Sequence, residues 1–271
     1  MSHDQHDAFE KLLHRFGNLM FENDKEHLFS MGCDKPTYWE SMIKDEVTRL
    51  LNTAKKSNVY LLDVGCGAGK WDVLSSEILS NEGDLTNFIM GFDISKEAIM
   101  KAQKAKLGKV KTYYALADAS HIPVPDETFN IAFEIAILHH LSNYKVLQEV
   151  LKEIRRVTKN NSIILFVENT IDNPFKNSLV KLWKSQKSTH LHLECFTSSL
   201  LLESLNNSGF RLVELKYENL VLVYVCTVLG FIGITLPKGL ISFLNKIEKY
   251  IINMGFWRYC ATVHLIVKTF K

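Results

Sequence analysis

Residues 59–71 read Val59-Tyr-Leu-Leu-Asp-Val-Gly-Cys-Gly-Ala-Gly-Lys-Trp71, and this stretch decides the fold. An apolar run with one carboxylate, Asp63, is followed by three glycines at alternate positions, Gly65, Gly67 and Gly69. Such a run is typical of a buried parallel strand, and glycine permits the positive φ angles of a sharp turn. The stretch therefore predicts a strand, a tight loop that a ligand can approach, and a helix whose first N–H groups are free.

The spacing of the glycines separates this loop from other nucleotide-binding loops. A dinucleotide-binding loop has the pattern Gly-x-Gly-x-x-Gly. That pattern would require glycine at position 70 or 72, where this chain has Lys70 and Asp72. A Gly-Lys-Ser/Thr sequence at the spacing of a Walker loop is also absent. The spacing therefore disfavours a nicotinamide-dependent oxidoreductase, and a tight turn without a ligand is the simpler alternative.

The stretch resembles the first motif of the class I S-adenosylmethionine-dependent methyltransferases. That motif is an acidic residue followed by Gly-x-Gly-x-Gly, and Asp63, Gly65, Gly67 and Gly69 match it. The resemblance covers about residues 45–217 and the last strand, and it points to members that act on lipids and other small molecules. It implies an α/β fold with a Rossmann-like, seven-stranded, mostly parallel sheet covered by helices on both faces. It also implies S-adenosyl-L-methionine as the cofactor and methyl transfer as the reaction.

Strands alternate with helices along the chain, which predicts a parallel sheet. The predicted strands are Val59–Val64, Phe88–Asp93, Thr112–Ala117, Phe129–Ile135, Ile163–Val167, Phe210–Leu215 and Ala261–Val267, with the last one antiparallel as in the family. Helices are expected at 38–54, 71–79 and 143–158, at a segment capped by Ser95, and from Thr197 to Gly209. Another helix is expected at 8–20.

Several predicted site residues lie where parallel strands end, because ligands bind at the carboxyl ends of such strands. Asp93 can accept hydrogen bonds from two ribose hydroxyls, although a solvated carboxylate is the alternative. The resemblance assigns Asp118 to the adenine amino group and matches Ala119 beside it. It also leaves the role of Asn130 open, since the family usually has aspartate there. The cofactor-binding residues predicted are Asp63, Gly65, Cys66, Gly67, Gly69, Asp93, Ile94, Asp118, Ala119 and Glu134.

Three histidines are candidates for a general base if the acceptor must lose a proton. His139 and His140 lie in a Leu-His-His segment that resembles small-molecule members of the family, and His192 follows later. The ordinary histidine pKa, about 6.5, suits this role, while a structural hydrogen bond is the alternative for each. His190, His192 and Glu194 would share one face of a strand, but we predict no metal site there.

Composition narrows the classes of partner. The chain has 271 residues, 46% hydrophobic and 23% charged, with a net charge of +2, which gives no case for nucleic-acid binding. Five scattered cysteines without a Cys-x-x-Cys pair indicate a reducing compartment. The first residues are polar and include no apolar signal core. We therefore expect a cytoplasmic location, and the oligomeric state is open.

Four segments are predicted: a helical cap at 1–56, the cofactor-binding core at 57–218, an apolar insertion or lid at 219–258, and the last core strand at 259–271. The cap either covers cofactor and substrate or only covers the sheet. Asn219–Pro237 carries no charge, but Gly230 and Gly233 interrupt it, so it predicts peripheral membrane contact rather than a span. That contact would suit a hydrophobic or lipid-linked small-molecule acceptor. Packing on the domain itself, a dimer interface, and a non-catalytic cofactor-binding protein are the alternatives.

Overall fold

The computed structural model describes residues 38–54, 57–80, 87–105, 107–141, 143–172, 196–218, 236–256, 260 and 262–270. The predictions for the helix at 8–20, for the 190–194 segment with His192, and for most of the apolar insertion lie outside these described residues.

Seven strands form one mixed sheet. They are β1 Tyr60–Val64, β2 Phe88–Asp93, β3 Lys111–Leu116, β4 Phe129–Ile135, β5 Thr158–Asn169, β6 Phe210–Glu218 and β7 Thr262–Thr269. Their order in the sheet is β3-β2-β1-β4-β5-β7-β6. The first five are parallel, and β7 runs antiparallel between β5 and β6. The predicted fold class, including the antiparallel last strand, is confirmed.

Three of the described helices begin directly after a capping side chain. The described helices are α1 Tyr38–Ala54, α2 Lys70–Leu79, α3 Lys96–Ala102, α4 Tyr144–Val157, α5 Ser198–Asn207 and α6 Lys238–Asn253, with a 3-10 turn at Leu138–His140. Ser95, Asn143 and Thr197 precede α3, α4 and α5, and each side chain accepts a hydrogen bond from the N–H three residues later. These bonds satisfy donors that a helix start otherwise leaves free.

The core lies in two layers because β-strand side chains alternate between the faces of the sheet. In β1, Leu62 and Val64 belong to the layer that also contains the buried faces of α4 and α5, whereas Leu61 belongs to the opposite layer. The apolar face of α1 packs in that second layer, together with residues of β1 and β5. For α1, this packing favours a covering of the sheet over the predicted ligand cap.

β5 and β6 extend the furthest beyond their predicted ends. β5 begins at Thr158 instead of Ile163, and β6 continues to Glu218. The residues between the predicted helix at 143–158 and the predicted strand from Ile163 form an irregular part of β5. The pairing with β4 shifts register there, and Asn161 has a φ of 60°. Asparagine tolerates this left-handed conformation better than most residues, so the strand continues through the bulge.

Asn130 fastens the strand ends that lie opposite the loops. The Tyr60 N–H donates to Asn130 Oδ1 at 2.9 Å, and Asn130 Nδ2 donates to the carbonyl of Asn58 at 2.7 Å. An ionised aspartate could not make the second bond, because it has no donor. This explains why an amide replaces the carboxylate at this position.

Among the described helices, none is long and apolar enough to cross a membrane.

Candidate cofactor cleft

The candidate site lies where the direction of chain progression across the sheet reverses. β1 and β4 are neighbours, and the strands that follow each of them lie on opposite sides. Ligands bind outside the strand ends at such a switch point. The glycine loop follows β1 and the segment with His139 follows β4, so both reach this place. They also touch, because a Cβ built on Gly65 would lie 2.1 Å from Cδ1 of Ile137.

The three loop glycines have different surroundings, although each has a positive φ. At Gly65 a Cβ would clash with the Ile137 side chain, and at Gly69 a Cβ would lie 2.6 Å from the hydroxyl of Tyr114. Among the described residues, no atom lies within 4 Å of a Cβ built on Gly67, and the φ of Gly67 is 54°. Two glycines thus allow close packing below the loop, whereas Gly67 borders open space that a ligand can enter.

Asp93 holds the glycine loop in place. Its Oδ2 accepts a hydrogen bond from the Gly67 N–H at 2.9 Å, and its Oδ1 accepts one from the Ser95 N–H at 2.7 Å. Each carboxylate oxygen can accept a second bond. Asp93 therefore ties β2 to the loop and keeps capacity for the two ribose hydroxyls that the sequence predicts.

An apolar surface and a carboxylate lie next to one another beyond Asp93. Ile94 is 74% exposed, which is unusual for so large an apolar side chain. Asp118, after β3, accepts hydrogen bonds at Oδ1 from the N–H and the hydroxyl of Ser120, at 2.8 and 2.7 Å. These bonds lower the pKa of Asp118 and keep it ionised. Because Asp93 pairs with Leu116 across β2 and β3, the two strand ends meet here, and the half-buried Ala119 follows.

Three of the predicted cofactor residues are buried instead of lining this surface. Asp63 and Cys66 are buried below the glycine loop, and Glu134 is buried below the segment after β4. Burial, followed by the charge of the adjacent Asp72, raises the pKa of Asp63, and burial raises that of Asp72 to about 7. Burial also raises the pKa of the Cys66 thiol. The prediction that these three residues bind the cofactor stays a prediction; in this structure their side chains lie under the loops and support them.

His139 is held by a buried carboxylate. Its Nδ1 lies 2.7 Å from Oε2 of Glu168, at the carboxyl end of β5. Oε1 of Glu168 accepts from the N–H groups of Ile137 and Leu138, at 2.7 and 2.6 Å. Oε1 of Glu134 accepts from the same two groups, at 2.9 and 3.3 Å. The 3-10 turn that carries His139 is thus fixed by both glutamates.

The other histidine candidates are placed differently. His140 is exposed, and its ring centroid lies 4.1 Å from that of His139. His192 lies outside the described residues. Among the residues that the structure describes, no group of three His, Cys, Asp or Glu side chains could hold a metal ion.

Glu168 is the site residue that reading the sequence missed. It follows the buried run Leu165–Val167, and β5 is the neighbour of β4 in the sheet. The available signal was the same as for Asp93: an acidic residue at the carboxyl end of a parallel strand. The prediction ended β5 one residue too early to use it.

Comparison with known protein families identifies the segment that contains this cleft. Residues 62–166 match the family model described as a methyltransferase domain. This segment is a class I methyltransferase domain. The match includes the glycine loop, Asp93, Asp118 and His139, and the cofactor of this domain is S-adenosylmethionine.

Relatives of the methyltransferase domain differ in acceptor. A malonyl-[acyl-carrier protein] O-methyltransferase of Hamiltonella defensa is 29% identical over 166 residues, which are 60% of this chain and 58% of that protein. A demethylmenaquinone methyltransferase of Listeria welshimeri is 27% identical over 130 residues, 48% of this chain and 52% of the relative. The chain therefore spans little more than half the length of these relatives.

A solved structure shares the fold with low sequence identity. The [4+2]-cyclase SpnF superposes with a TM-score of 0.57 at 18% identity, over 88% of this chain and 85% of the cyclase. The methyltransferase domain fold is thus compatible with more than one reaction.

Proposed function

We propose that this protein transfers a methyl group from S-adenosylmethionine to a small, hydrophobic or lipid-linked acceptor. The observation that carries the proposal is the open space in front of Gly67, in a glycine loop held by Asp93. The match of residues 62–166 to the methyltransferase domain supports it.

The described residues fit this cofactor. Asp93 can bind the ribose, the exposed face of Ile94 can contact the adenine ring, and the Asp118 carboxylate can accept from the adenine amino group. Gly67 lets the ligand approach the backbone. When bound, the cofactor supplies an electrophilic methyl group on a positively charged sulfur. The protein's contribution is to align the acceptor with that methyl group and to exclude water.

His139 is the favoured general base for an acceptor with a hydroxyl group. Its Nδ1 is engaged with Glu168, so Nε2, on the opposite edge of the ring, is the nitrogen that could take the acceptor proton. A base oriented by a third group is the usual arrangement at activated nucleophiles. His140 is the neighbouring alternative, because it is exposed and close to His139.

The acceptor class is supported by the relatives and by α6. The two named relatives act, by their names, on malonyl-[acyl-carrier protein] and demethylmenaquinone. In this chain α6 presents an apolar stripe outward. Its members recur at intervals of three and four residues and are 40% to 68% exposed: Leu240, Phe243, Ile247, Tyr250 and Met254.

The polarity of α6 is inverted relative to an ordinary surface helix, which buries its apolar face. Here Glu248 is buried with Ile252, and the apolar stripe faces outward. Lys249 reaches back, with Nζ 3.8 Å from Oε1 of Glu218 in β6. A helix that buries an acid and exposes five large apolar side chains is suited to an apolar partner.

A membrane surface is the partner that fits α6 best. The exposed charged side chains described on α6, Lys246 and Lys249, are basic and complement anionic head groups. The stripe is about 21 Å long and about 10 Å wide, so it could bury roughly 200 Å². That is well below the ~800 Å² per partner of a stable protein interface. A helix lying in the membrane interface requires no such area.

The decisive experiment combines binding and turnover. We expect the purified protein to bind S-adenosylmethionine and to transfer labelled methyl groups to a component of a lipid and metabolite extract. Binding without methyl transfer to any extract component would contradict the proposal. It would favour a non-catalytic protein or a different reaction on the same fold, such as the one that the cyclase catalyses.

Two glycines provide a matched pair for the binding site. Gly67 and Gly255 both have a positive φ, 54° and 107°, and among the described residues a Cβ on either meets no atom within 4 Å. Alanine should strain the backbone at both positions, and more at Gly255, because its φ lies outside the left-handed region that other residues adopt. Only Gly67→Ala enters the predicted cofactor space. We expect Gly67→Ala to weaken cofactor binding at least tenfold in calorimetry, and Gly255→Ala to leave it unchanged. Equal affinities would place the cofactor elsewhere.

A further inference from the structure

Two buried glutamates converge on the turn that carries His139. Glu134 ends the stretch of β4 beside β1, and Glu168 ends the buried part of β5. Both are fully buried, and an oxygen of each accepts from the N–H groups of Ile137 and Leu138. Two donors are thus shared between two carboxyl groups, which brings the groups close together.

Only one of the two glutamates can be charged. Two neighbouring carboxylates away from water repel each other strongly, so one of them keeps its proton. Burial, and then the charge of Glu168, raise the pKa of Glu134 well above its usual range. Burial acts in the same direction on Glu168, but His139 and the hydrogen bonds around it hold the pKa of Glu168 below its usual range. The charge therefore lies on Glu168, beside the histidine.

A charge on Glu168 and a proton on Glu134 explain why Oε2 of Glu134 lies without a hydrogen-bond donor in the described part of the chain. Among the described residues, Oε2 of Glu134 is buried and faces no hydrogen-bond donor. A buried carboxylate oxygen without a donor is costly, whereas a protonated carboxyl group needs fewer donors and can itself donate. Glu134 as a neutral acid is consistent with its surroundings.

We infer that Glu168 is a positioning residue that fixes the tautomer and orientation of His139, and that Glu134 supplies the proton that the two glutamates share. A charged Glu168 selects the ring form that donates from Nδ1, and this leaves Nε2 as the unprotonated nitrogen. Nε2 can then take a proton from an acceptor hydroxyl. The inference rests on the proposed function only for this last step; the arrangement of the three side chains stands without it.

Titratable side chains from two strands and one turn lie near His139. Within the part of the chain that the structure describes, the titratable side chains against its ring are Glu168 from β5 and His140 from the same turn, with Glu134 from β4 behind Glu168. The alternative is that His139 is only a structural donor that satisfies Glu168. In that case Nε2 would have no part in turnover.

The wild-type protein provides the first test. In protein labelled with ¹⁵N-histidine, the resonances of His139 are assigned by their loss in His139→Gln. We expect the Nδ1–H tautomer, with its proton shifted downfield as in histidine–carboxylate hydrogen bonds. Finding the Nε2–H tautomer at neutral pH would overturn the inference whether or not methyl transfer is detected, and even if no variant folds.

The two glutamates then serve as a matched pair of isosteric variants. We expect Glu168→Gln to lose the downfield Nδ1–H signal and to lower kcat at least tenfold, because a positioned base contributes 10²–10⁴-fold. Glu134→Gln should keep the Nδ1–H signal, because a neutral amide replaces a neutral acid. Cofactor affinity should change less than twofold in both variants.

The outcomes separate the inference from the proposed function. If both variants lose the Nδ1–H signal, or both keep it, the assignment of charge to Glu168 and of the proton to Glu134 is wrong. If Glu168→Gln loses the signal but keeps kcat, His139 is a structural donor only. If wild type binds cofactor without turnover, the proposed function fails, and the difference in signal between the variants still decides the positioning role.

Discussion

At the level of single residues, Asp93 performs two tasks whose separation can be tested. Its two oxygens hold the Gly67 and Ser95 N–H groups, and the same oxygens are the predicted partners of the ribose. Loss of this side chain removes the predicted ligand contacts and also frees the loop that shapes the cleft. The residue therefore matters both for affinity and for the geometry of the loop.

Asp93→Ala should weaken binding of S-adenosylmethionine more than tenfold, since hydrogen bonds to a charged acceptor contribute about 1.5–3 kcal/mol. Isothermal calorimetry measures the change. Ser95→Ala is the control: it removes the cap of α3 and should cost about 1 kcal/mol of stability without changing the affinity. An Asp93→Ala protein that binds as tightly as wild type would remove this carboxylate from the site.

His264 is a residue whose environment opposes ionisation. It lies in β7 opposite Val167 and Lys216, is buried, and has no hydrogen-bond partner at either ring nitrogen among the described residues. Burial lowers its pKa from the ordinary 6.5 to about 4. Because the unfolded chain binds the proton more readily, the free energy of unfolding should be highest above pH 6.5 and should fall as the pH decreases towards 4.

His264→Leu should remove this part of the pH dependence. The loss in wild type amounts to at most about 1.4 kcal/mol per pH unit, so the variant should gain stability relative to wild type between pH 7.5 and pH 5. Urea unfolding at the two pH values measures it. A constant difference between His264→Leu and wild type would contradict the assignment.

Single residues differ in how far sequence alone could predict them. Gly67 and Asp93 could be predicted as site residues because their signals are local: glycine spacing, and an acid that ends a strand. Asp63, Cys66 and Glu134 share those signals, yet their side chains are buried under the loops. Which face a strand-end side chain takes depends on the neighbouring strand and the loop above it, and no local pattern contains that information.

At the level of elements, α6 shows how sequence and structure complement each other. The apolar positions of this segment were evident from the sequence, but their exposure was not, because Glu248 takes the buried face. Likewise, the bulge at Asn161 lengthened β5 beyond its apolar run. Both differences arise from contacts with elements distant in sequence, and the local periodicity of apolar residues contains no information about such contacts.

We expect the protein to float with vesicles of phosphatidylcholine and phosphatidylglycerol at low salt. Replacing Phe243 and Tyr250 together by serine should reduce flotation at least tenfold, because a buried aromatic side chain contributes about 1.5–3 kcal/mol. The matched control is the pair Leu212 and Val213 in β6, which are also exposed and apolar.

Three results would contradict the membrane contact of α6. The wild type could remain unbound, the two double variants could float equally, or the Phe243/Tyr250 variant could change the oligomeric state instead. The last result, seen by size-exclusion chromatography with light scattering, would identify the stripe as a contact between copies of the chain.

At the level of the whole molecule, the parallel part of the sheet was predictable because strands alternate with helices along the chain. The resemblance at Asp63 to Gly69 supplied the antiparallel last strand, which periodicity could not. Sequence alone could not decide whether the first 56 residues cover the ligands or only the sheet. Amphipathic helices bury a face in any case, and only the packing of α1 against the sheet shows which surface it meets.

The position of β7 has a consequence for synthesis of the chain on the ribosome. β7 is made after the other six described strands, yet it lies inside the sheet, where it joins β5 to β6. Roughly 50 residues separate the end of β6 from the end of β7, which takes about 3–10 s at ordinary translation rates. Throughout that interval the nascent chain presents two unpaired strand edges, the surfaces most prone to aggregation. Both edges are therefore open to pairing with other chains while the apolar insertion is being translated.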